Sequence, residues 1–532
     1  MAKSEAKVDE ETARPWGRND LAIGALLDSR AEEDGAFIFA RMGERTITIA
    51  ELAEAANRLA NGLAALGVKR GDRIPVMLAN HPDHVVVFFG LLKLGACLVP
   101  VNVNLRGEGL NYILGHADAR LMIVDGRYAA QVDPLLPGLG IPTVIWRDRP
   151  GAGTSLSDLL NHADATTLPC PVEANDVVTI SFTSGTTGLP KGVMLTDRML
   201  RCCGHAASRL TDLRPGDVFY VWEPLYHIGG SEVLVMAVQN RISLAIVERF
   251  SVSRFWREVR AYGATHIHFL GGVLALLLKE PSQPDDRSHP VRVAWGGGCP
   301  VTVWREFQDR FGIPIRECYG MTEASSFTTQ NVTGKVGSVG KPLPWFEVRI
   351  ADDAGNPLGP NQRGEFWVRE KIPGLIMKGY FNNPEATAAT LRDGWLCTGD
   401  IGYYDEEGDY VFAGRKKDSI RRRGENITAF EIERIANGHP DVAESAAVGV
   451  PNELSDEDVK VFLRLKPGAS LDPLDFIRWC EERMAHFQVP RYLAFLDEFP
   501  KTPSERIRKE ALSRDTAGIF DLEASGYRLK RT

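Results

Sequence analysis

No two cysteines in this chain stand in a CxxC spacing. The eight of them, Cys97, Cys170, Cys202, Cys203, Cys299, Cys318, Cys397 and Cys480, are scattered. That leaves a zinc or thioredoxin-like motif without support and predicts small, mostly buried thiols of a reducing compartment. A membrane-length apolar run is also missing. The longest candidate, 85–103, is broken by Lys93 and Pro100 and predicts a buried helix leading into a strand. The N-terminal stretch MAKSEAKVDEETARPWGR is charged and has no apolar core, so no signal peptide is expected and the cytoplasm is the expected location. Excess positive charge is absent as well. At a formal net charge of −8 the overall field draws the chain neither to nucleic acid nor to an anionic membrane. An anionic ligand must then be held by a local cationic site. No internal repeat and no low-complexity tract occurs.

What is present is 532 residues, 44% hydrophobic and 25% charged. Such a composition folds, and such a length exceeds one core, so two or more domains are expected. Helical periodicity runs through 47–66. Strand patterns occupy 73–78, 121–124, 177–182 and 193–196, and Asp197 is the expected N-cap of a helix reaching about Leu210. This alternation predicts an α/β fold with mainly parallel sheets. After Arg349 the turns DDAGNPLG, DEEGDY and RDGW predict a small β-rich subdomain. Beyond Ser419 come a helix at 430–437, strands at 443–450 and 459–465, and a helix opened by Asp472-Pro473. The expected architecture is a large N-terminal domain of α/β sheets with its β-rich subdomain (1–413), a hinge (414–418) and a small mobile α+β C-terminal domain (419–532).

The most informative stretch is Thr183-Ser184-Gly185-Thr186-Thr187-Gly188-Leu189-Pro190-Lys191-Gly192. Glycines let the backbone approach a ligand closely. Successive N–H groups form an anion-binding nest, hydroxyls add donors, and Lys191 supplies a mobile point charge. Placed directly after a buried strand, this is a nucleotide phosphate loop. It is not a Walker A loop, because Lys191 is followed by Gly192 and not by Ser or Thr.

This loop resembles that of the adenylate-forming superfamily, which contains acyl-CoA synthetases, firefly luciferase and peptide-synthetase adenylation domains. Further matches follow in order: Lys93-Leu94-Gly95-Ala96 with Val99-Pro100, Pro224-Leu225-Tyr226-His227, Tyr319-Gly320-Met321-Thr322-Glu323, Leu396-Cys397-Thr398-Gly399-Asp400, and Gly414-Arg415-Lys416-Lys417-Asp418. The stretches Arg423-Gly424-Glu425-Asn426-Ile427, 479–484 and 489–492 look most like crotonobetaine/carnitine-CoA ligases and related acyl-CoA synthetases.

The resemblance implies the following roles. Thr322 donates to the α-phosphate of ATP. Glu323 binds Mg²⁺, an ion that prefers oxygen ligands. Asp400 and Arg415 contact the ribose. Gly297, Gly298 and Cys299 pass by adenine and the acyl chain, and Tyr319 stacks on adenine. His227 lies near the acyl carboxylate. Trp222, Gly229, Gly230, Trp295 and Cys318 are candidates for the acyl pocket, and Lys417 is the hinge. The implied reaction joins a small carboxylic acid to AMP with release of pyrophosphate and then passes the acyl group to coenzyme A. A homodimer is left open.

One match departs from the pattern. The family's closing loop resembles Pro-Lys-Thr-x-Ser-Gly-Lys, and its last lysine bridges carboxylate and α-phosphate. Here Glu505 stands for the glycine and Arg506 for the lysine. Arginine keeps the charge but is bulkier and planar, and Lys501 or Lys509 could stand in for it. Two other readings stay open: adenylation with a different acceptor or an unusual acid, and a nucleotide-binding sensor that has lost catalysis.

Overall fold

The computed structural model describes residues 16, 20–151, 153–183, 190–422, 425–452, 457–502 and 505–529. Two large sheets share one layer of helices. In the first sheet the strands run Thr143–Arg147, Leu121–Asp125, Arg73–Met77, Cys97–Pro100, Val177–Thr183 and Lys191–Thr196. All neighbours are parallel except the last pair. The second sheet has nine strands. Its parallel centre is Ile38–Met42, Ser243–Ile246, Val218–Val221, His266–Leu270, Val293–Gly297 and Ile315–Tyr319, with antiparallel strands at both edges.

The shared layer contains the helices Ile23–Asp34, Ile49–Ala65, Pro82–Leu94, Asp197–Thr211 and Ile228–Gln239, whose apolar residues merge with one face of each sheet into a single core. Strand alternation divides the first sheet between cores. Leu121 and Ile123 join the shared core, while Met122 and Val124 face a second core under the helix Gly107–His116. In the second sheet Ile267 and Phe269 point away from the shared layer, into a core capped by the helices Val252–Tyr262, Val273–Lys279 and Val301–Phe311. Parallel sheets covered on both faces are the expected outcome of crossover connections.

Most sequence expectations are met within a residue or two. The 47–66 periodicity becomes the helix Ile49–Ala65, started by a capping box in which Thr48 accepts from the Glu51 amide and Glu51 accepts from the Thr48 amide. The Asp197 expectation needs correction. Thr196, not Asp197, is the N-cap: its hydroxyl accepts from the Met199 amide at 3.2 Å. Asp197 is the first helical residue, where it accepts from the Ile23 amide and pairs with Arg201 at 2.7 Å. Extended φ/ψ at Thr196 makes it the half-in residue.

The β-rich subdomain is an antiparallel sheet of Phe346–Ala351, Gly364–Glu370, Trp395–Tyr404, Leu391–Arg392 and Tyr410–Arg415. Arg349 lies between the Trp367 and Trp395 rings, at 4.8 and 3.9 Å. After a short turn at Lys416–Asp418, residues from Ile420 onward fill cores of their own. These are built on a four-stranded sheet, Val442–Pro451, Glu457–Leu465, Tyr492–Phe495 and Phe520–Asp521, with the helices Ala429–Asn437 and Pro473–Glu481.

Candidate active site

Ligands of open parallel sheets settle at the carboxyl ends of the strands. In the nine-stranded sheet that edge carries Glu223 and His227 beyond Val218–Val221, Gly298 and Cys299 beyond Val293–Gly297, and Gly320 to Glu323 beyond Ile315–Tyr319. Thr183 and Lys191 face each other across the antiparallel pair that flanks the phosphate loop, with the Thr183 hydroxyl donating to the Lys191 carbonyl at 3.5 Å. The Lys191 ammonium lies 5.0 Å from the centre of the Tyr380 ring. Ser184, Gly185, Thr186, Thr187 and Gly188 lie outside the described residues, as do Arg423 and Gly424 of the later motif.

Tyr319 begins the next group. Its ring packs on Phe366, with centroids 4.5 Å apart, and its hydroxyl donates to Asp400 Oδ2 at 2.8 Å. Asp400 and Arg415 are cross-strand partners, with Asp400 Oδ1 3.5 Å from Arg415 Nε. Burial pushes the Asp400 carboxyl up, and Arg415 and the Tyr319 hydroxyl pull it back. Gly320 admits no side chain, since a Cβ there would lie 2.1 Å from the Ser326 carbonyl. Thr322 and Glu323 form a short turn, after which Ser325 and Ser326 hold φ at 51° and 64°. Two successive left-handed non-glycine residues store strain beside the site, on the order of 1–3 kcal/mol each. The hydroxyl of Ser325, donating to the Leu375 carbonyl at 2.6 Å, helps hold it. Glu323 is 6% exposed. Its Oε1 accepts from the Tyr380 hydroxyl at 2.9 Å, and burial raises its carboxyl. An oxygen so held leaves Oε2 for a hard cation, the donor type Mg²⁺ prefers. A different carboxylate cluster, Asp405, Glu407 and Asp409, is already occupied by the Lys335 ammonium at 2.6, 2.6 and 3.1 Å.

Sequence reasoning missed Glu317. This buried carboxylate accepts from the Gly298 and Cys299 amides at 2.6 and 3.0 Å, and burial pushes it up to about 8 while those amides oppose the shift. It fixes the loop that Gly297, Gly298 and Cys299 form. Tyr380 was missed as well. Of the acyl-pocket candidates, Trp222 and Trp295 are fully buried, Trp222 donates to the His268 carbonyl at 2.8 Å, and Cys318 donates to the Gly296 carbonyl at 3.2 Å. Gly229 and Gly230 open the helix Ile228–Gln239, whose N-cap is His227. His227 Nδ1 accepts from the Gly229 amide at 3.3 Å, which places the imidazole proton on Nε2. The His227 side chain is 43% exposed at the strand ends.

Arg506 is solvent-accessible yet surrounded by protein, the signature of a cleft. Its charge acts on Glu223, His227, His268, Asp400 and Arg415, so the C-terminal residues bring it over the strand ends. Lys501 is tied to Glu444 at 2.6 Å and to Glu505 at 3.4 Å, and Lys509 to Glu433 at 2.7 Å. Glu505 takes φ of 59°, the conformation the family's glycine adopts freely. Contacts across to the large domain include Lys279 donating to the Ala443 carbonyl at 2.9 Å and an Arg363–Glu431 ion pair. Lys417 is exposed in the middle of the Lys416–Asp418 turn.

The described strand ends thus carry a buried carboxylate, Glu323, and a cross-strand carboxylate–guanidinium pair, Asp400 with Arg415. The family is that of the AMP-binding enzymes: residues 27–381 match the AMP-binding enzyme domain and residues 431–506 the AMP-binding enzyme C-terminal domain, and the chain belongs to that family. The crotonobetaine/carnitine–CoA ligase of Salmonella paratyphi A is 33% identical over 490 residues, covering 88% of this chain and 93% of the relative. ATP-bound MatB from Rhodopseudomonas palustris superposes with a TM-score of 0.84 at 26% identity, over 92% of this chain and 97% of that one. The o-succinylbenzoate coenzyme A synthetase MenE from Bacillus subtilis, in complex with ATP and magnesium ion, gives 0.81 at 28% identity, over 92% and 98%. Within the family, then, this chain is an acid–CoA ligase.

Proposed function

We propose that the chain activates a small carboxylic acid with ATP and Mg²⁺ and transfers the acyl group to coenzyme A. An acid oxygen attacks the α-phosphorus and pyrophosphate leaves. The coenzyme A thiolate then attacks the acyl carbon and AMP leaves. The observation that carries this reading is the convergence of three chain regions on one cleft: Thr322 and Glu323 at a strand end, the Asp400–Arg415 pair, and Arg506 from the C-terminal loop. In this reading Thr322 and Arg506 stabilise charge at phosphorus, Glu323 would hold Mg²⁺, which would offset phosphate charge, and Asp400 and Arg415 hold the ribose. Tyr319 orients Asp400 through its hydroxyl and offers its ring to adenine. His227, with Nε2 bearing the proton, donates to the acyl carboxylate. Lys191 screens the departing pyrophosphate.

The boundary of the moving unit is placed at the turn 416–418, with Lys417 as pivot, because adenylation needs Arg506 in the cleft and thioester formation needs the same space open. No described helix is long and apolar enough to cross a membrane. The test is a pyrophosphate-release screen over carboxylic acids, with and without coenzyme A. Release that requires acid, ATP and Mg²⁺, followed by thioester only when coenzyme A is added, is expected. Adenylate that goes to another acceptor and never to coenzyme A would overturn the assignment.

A further inference from the structure

Behind His227 lies a carboxyl group that the reaction above does not use. Glu223 is 3% exposed, and neither of its side-chain oxygens has a hydrogen-bond partner. It sits so close under the backbone of Gly229 that a Cβ there would lie 2.1 Å from Oε2. The nearest helix amides are already engaged: Gly229 N–H donates to His227 Nδ1, and the Gly230 and Ser231 N–H groups donate to the His227 carbonyl. What faces Glu223 is two imidazoles. His227 Nδ1 is 3.6 Å from Oε1, and His268 Nδ1 is 3.3 Å from Oε2.

Each of these nitrogens sets a condition on the proton. His227 Nδ1 presents a lone pair, since it already accepts from Gly229, and an ionised Glu223 would set charge against it. A sealed carboxylate without a donor is also costly. Burial pushes Glu223 up to about 8 and His268 down to about 3, with Arg506 opposing the first shift and His227 and Arg506 adding to the second. A neutral carboxyl carrying its proton on Oε2 would face His268 Nδ1, 3.3 Å away. The His268 ring proton is then on Nε2. His268 is the cross-strand partner of Trp295, whose ring centroid lies 4.4 Å away. Its Nδ1 is sealed and its side chain is 10% exposed, which leaves the outer edge of the ring, with Nε2, as the accessible part, and His227 and Arg506 act on that ring.

We propose that His268, held in this tautomer by Glu223, determines the acid specificity: its Nε2–H donates to an oxygen substituent on the acyl chain, so the preferred substrates are hydroxy or oxo acids and not plain alkyl acids. Glu223 acts through His268 and is a positioning residue. The proposal rests on the acid-activating function above. That function is read by whether any acid releases pyrophosphate, and this proposal by the ratio between paired acids.

The test measures kcat/KM for pyrophosphate release with straight-chain acids and with their hydroxy and oxo analogues of equal length. The wild type is expected to favour the oxygenated member at least about fivefold, the value of one neutral hydrogen bond whose loss strands a buried donor, about 1–3 kcal/mol. His268→Leu should abolish the preference and keep or raise the rate with the plain acid. Glu223→Gln, whose amide can still donate to Nδ1, should keep the preference, whereas Glu223→Leu should lose it. Thermal melting of each variant shows whether it folds. A wild-type preference for plain acids, or an unchanged ratio in folded His268→Leu, overturns the proposal. If Glu223→Leu does not fold, the Glu223→Gln and His268→Leu ratios still decide it.

Discussion

Arg506 stands where the family resemblance places a lysine, and replacing it with alanine separates the two half-reactions. The guanidinium lies over the strand ends and interacts with Asp400, Arg415 and Glu223, so it is available to the phosphorus centre only while the C-terminal residues sit as they do here. Removing one preorganised charge-stabilising donor costs 10²–10³ in rate, about 2.7–4 kcal/mol. The side chain is open to solvent, which weakens its field, so the lower end, about 100-fold, is expected. Neither neighbouring lysine can compensate without breaking an ion pair, Lys501 with Glu444 and Lys509 with Glu433. Single-turnover pyrophosphate release reads the first step, and thioester formation from synthetic acyl-AMP reads the second. Arg506→Ala should lose about 100-fold in the first and stay near wild type in the second. Equal loss in both steps, or the same selective loss in Lys501→Ala or Lys509→Ala, would refute the reasoning.

Other perturbations follow from single contacts. Tyr380→Phe removes the hydroxyl that holds Glu323 Oε1, and it should raise the Mg²⁺ concentration needed for half-maximal pyrophosphate release several-fold; an unchanged Mg²⁺ titration argues against Glu323 as the ligand. Glu505→Gly relieves a left-handed backbone and should raise the melting temperature of the 532-residue chain by about 1 °C, from about 1 kcal/mol of relieved strain; a lower melting temperature would show that the weak Lys501 contact matters more. Protein crowded around His227, with the Arg506 guanidinium adding, lowers its imidazole while 43% of the side chain stays open to solvent, so pH–rate profiles of adenylation by wild type and His227→Asn should place any His227 inflection below 6.5. Lys417→Pro fixes φ near −65° and removes an amide donor, so it should leave one half-reaction intact and impair the other; equal retention of both would remove Lys417 as the pivot.

Local chemistry was legible in the sequence wherever neighbouring residues define it. The periodicity that becomes the helix Ile49–Ala65, the strands Val177–Thr183 and Lys191–Thr196 and the run Tyr319 to Glu323 are all short-range patterns. Two consecutive capping-type residues, Thr196 and Asp197, defeated the sequence, because the backbone angle at the junction decides which of them caps. Glu317, Glu223, His268 and Tyr380 could not be read for a different reason. Each acquires its partner through register between segments far apart in the chain: Glu317 meets Gly298, Tyr380 meets Glu323, and Glu223 meets His268. In the sequence, Glu317 and His268 are only polar residues inside strands. The same applies to the insertion of Ile38–Met42 beside Ser243–Ile246, which no local periodicity announces.

The pairing of Asp400 with Arg415 across adjacent antiparallel strands bears on what happens to the intermediate. Both groups belong to one rigid ladder that ends at Arg415, immediately before the turn 416–418. A domain turning about that point would leave the ladder unmoved. The mixed anhydride would then keep its grip by the sugar while the groups around its reactive end are exchanged. Commitment to product is in that case a competition between thiol capture and escape of a still-anchored adenylate. On the proposed roles of Asp400, Arg415 and Lys417 the enzyme would wait for a scarce acceptor without spilling a hydrolysable compound, and weakening the ladder should appear first as futile ATP turnover, before any fall in the rate of activation.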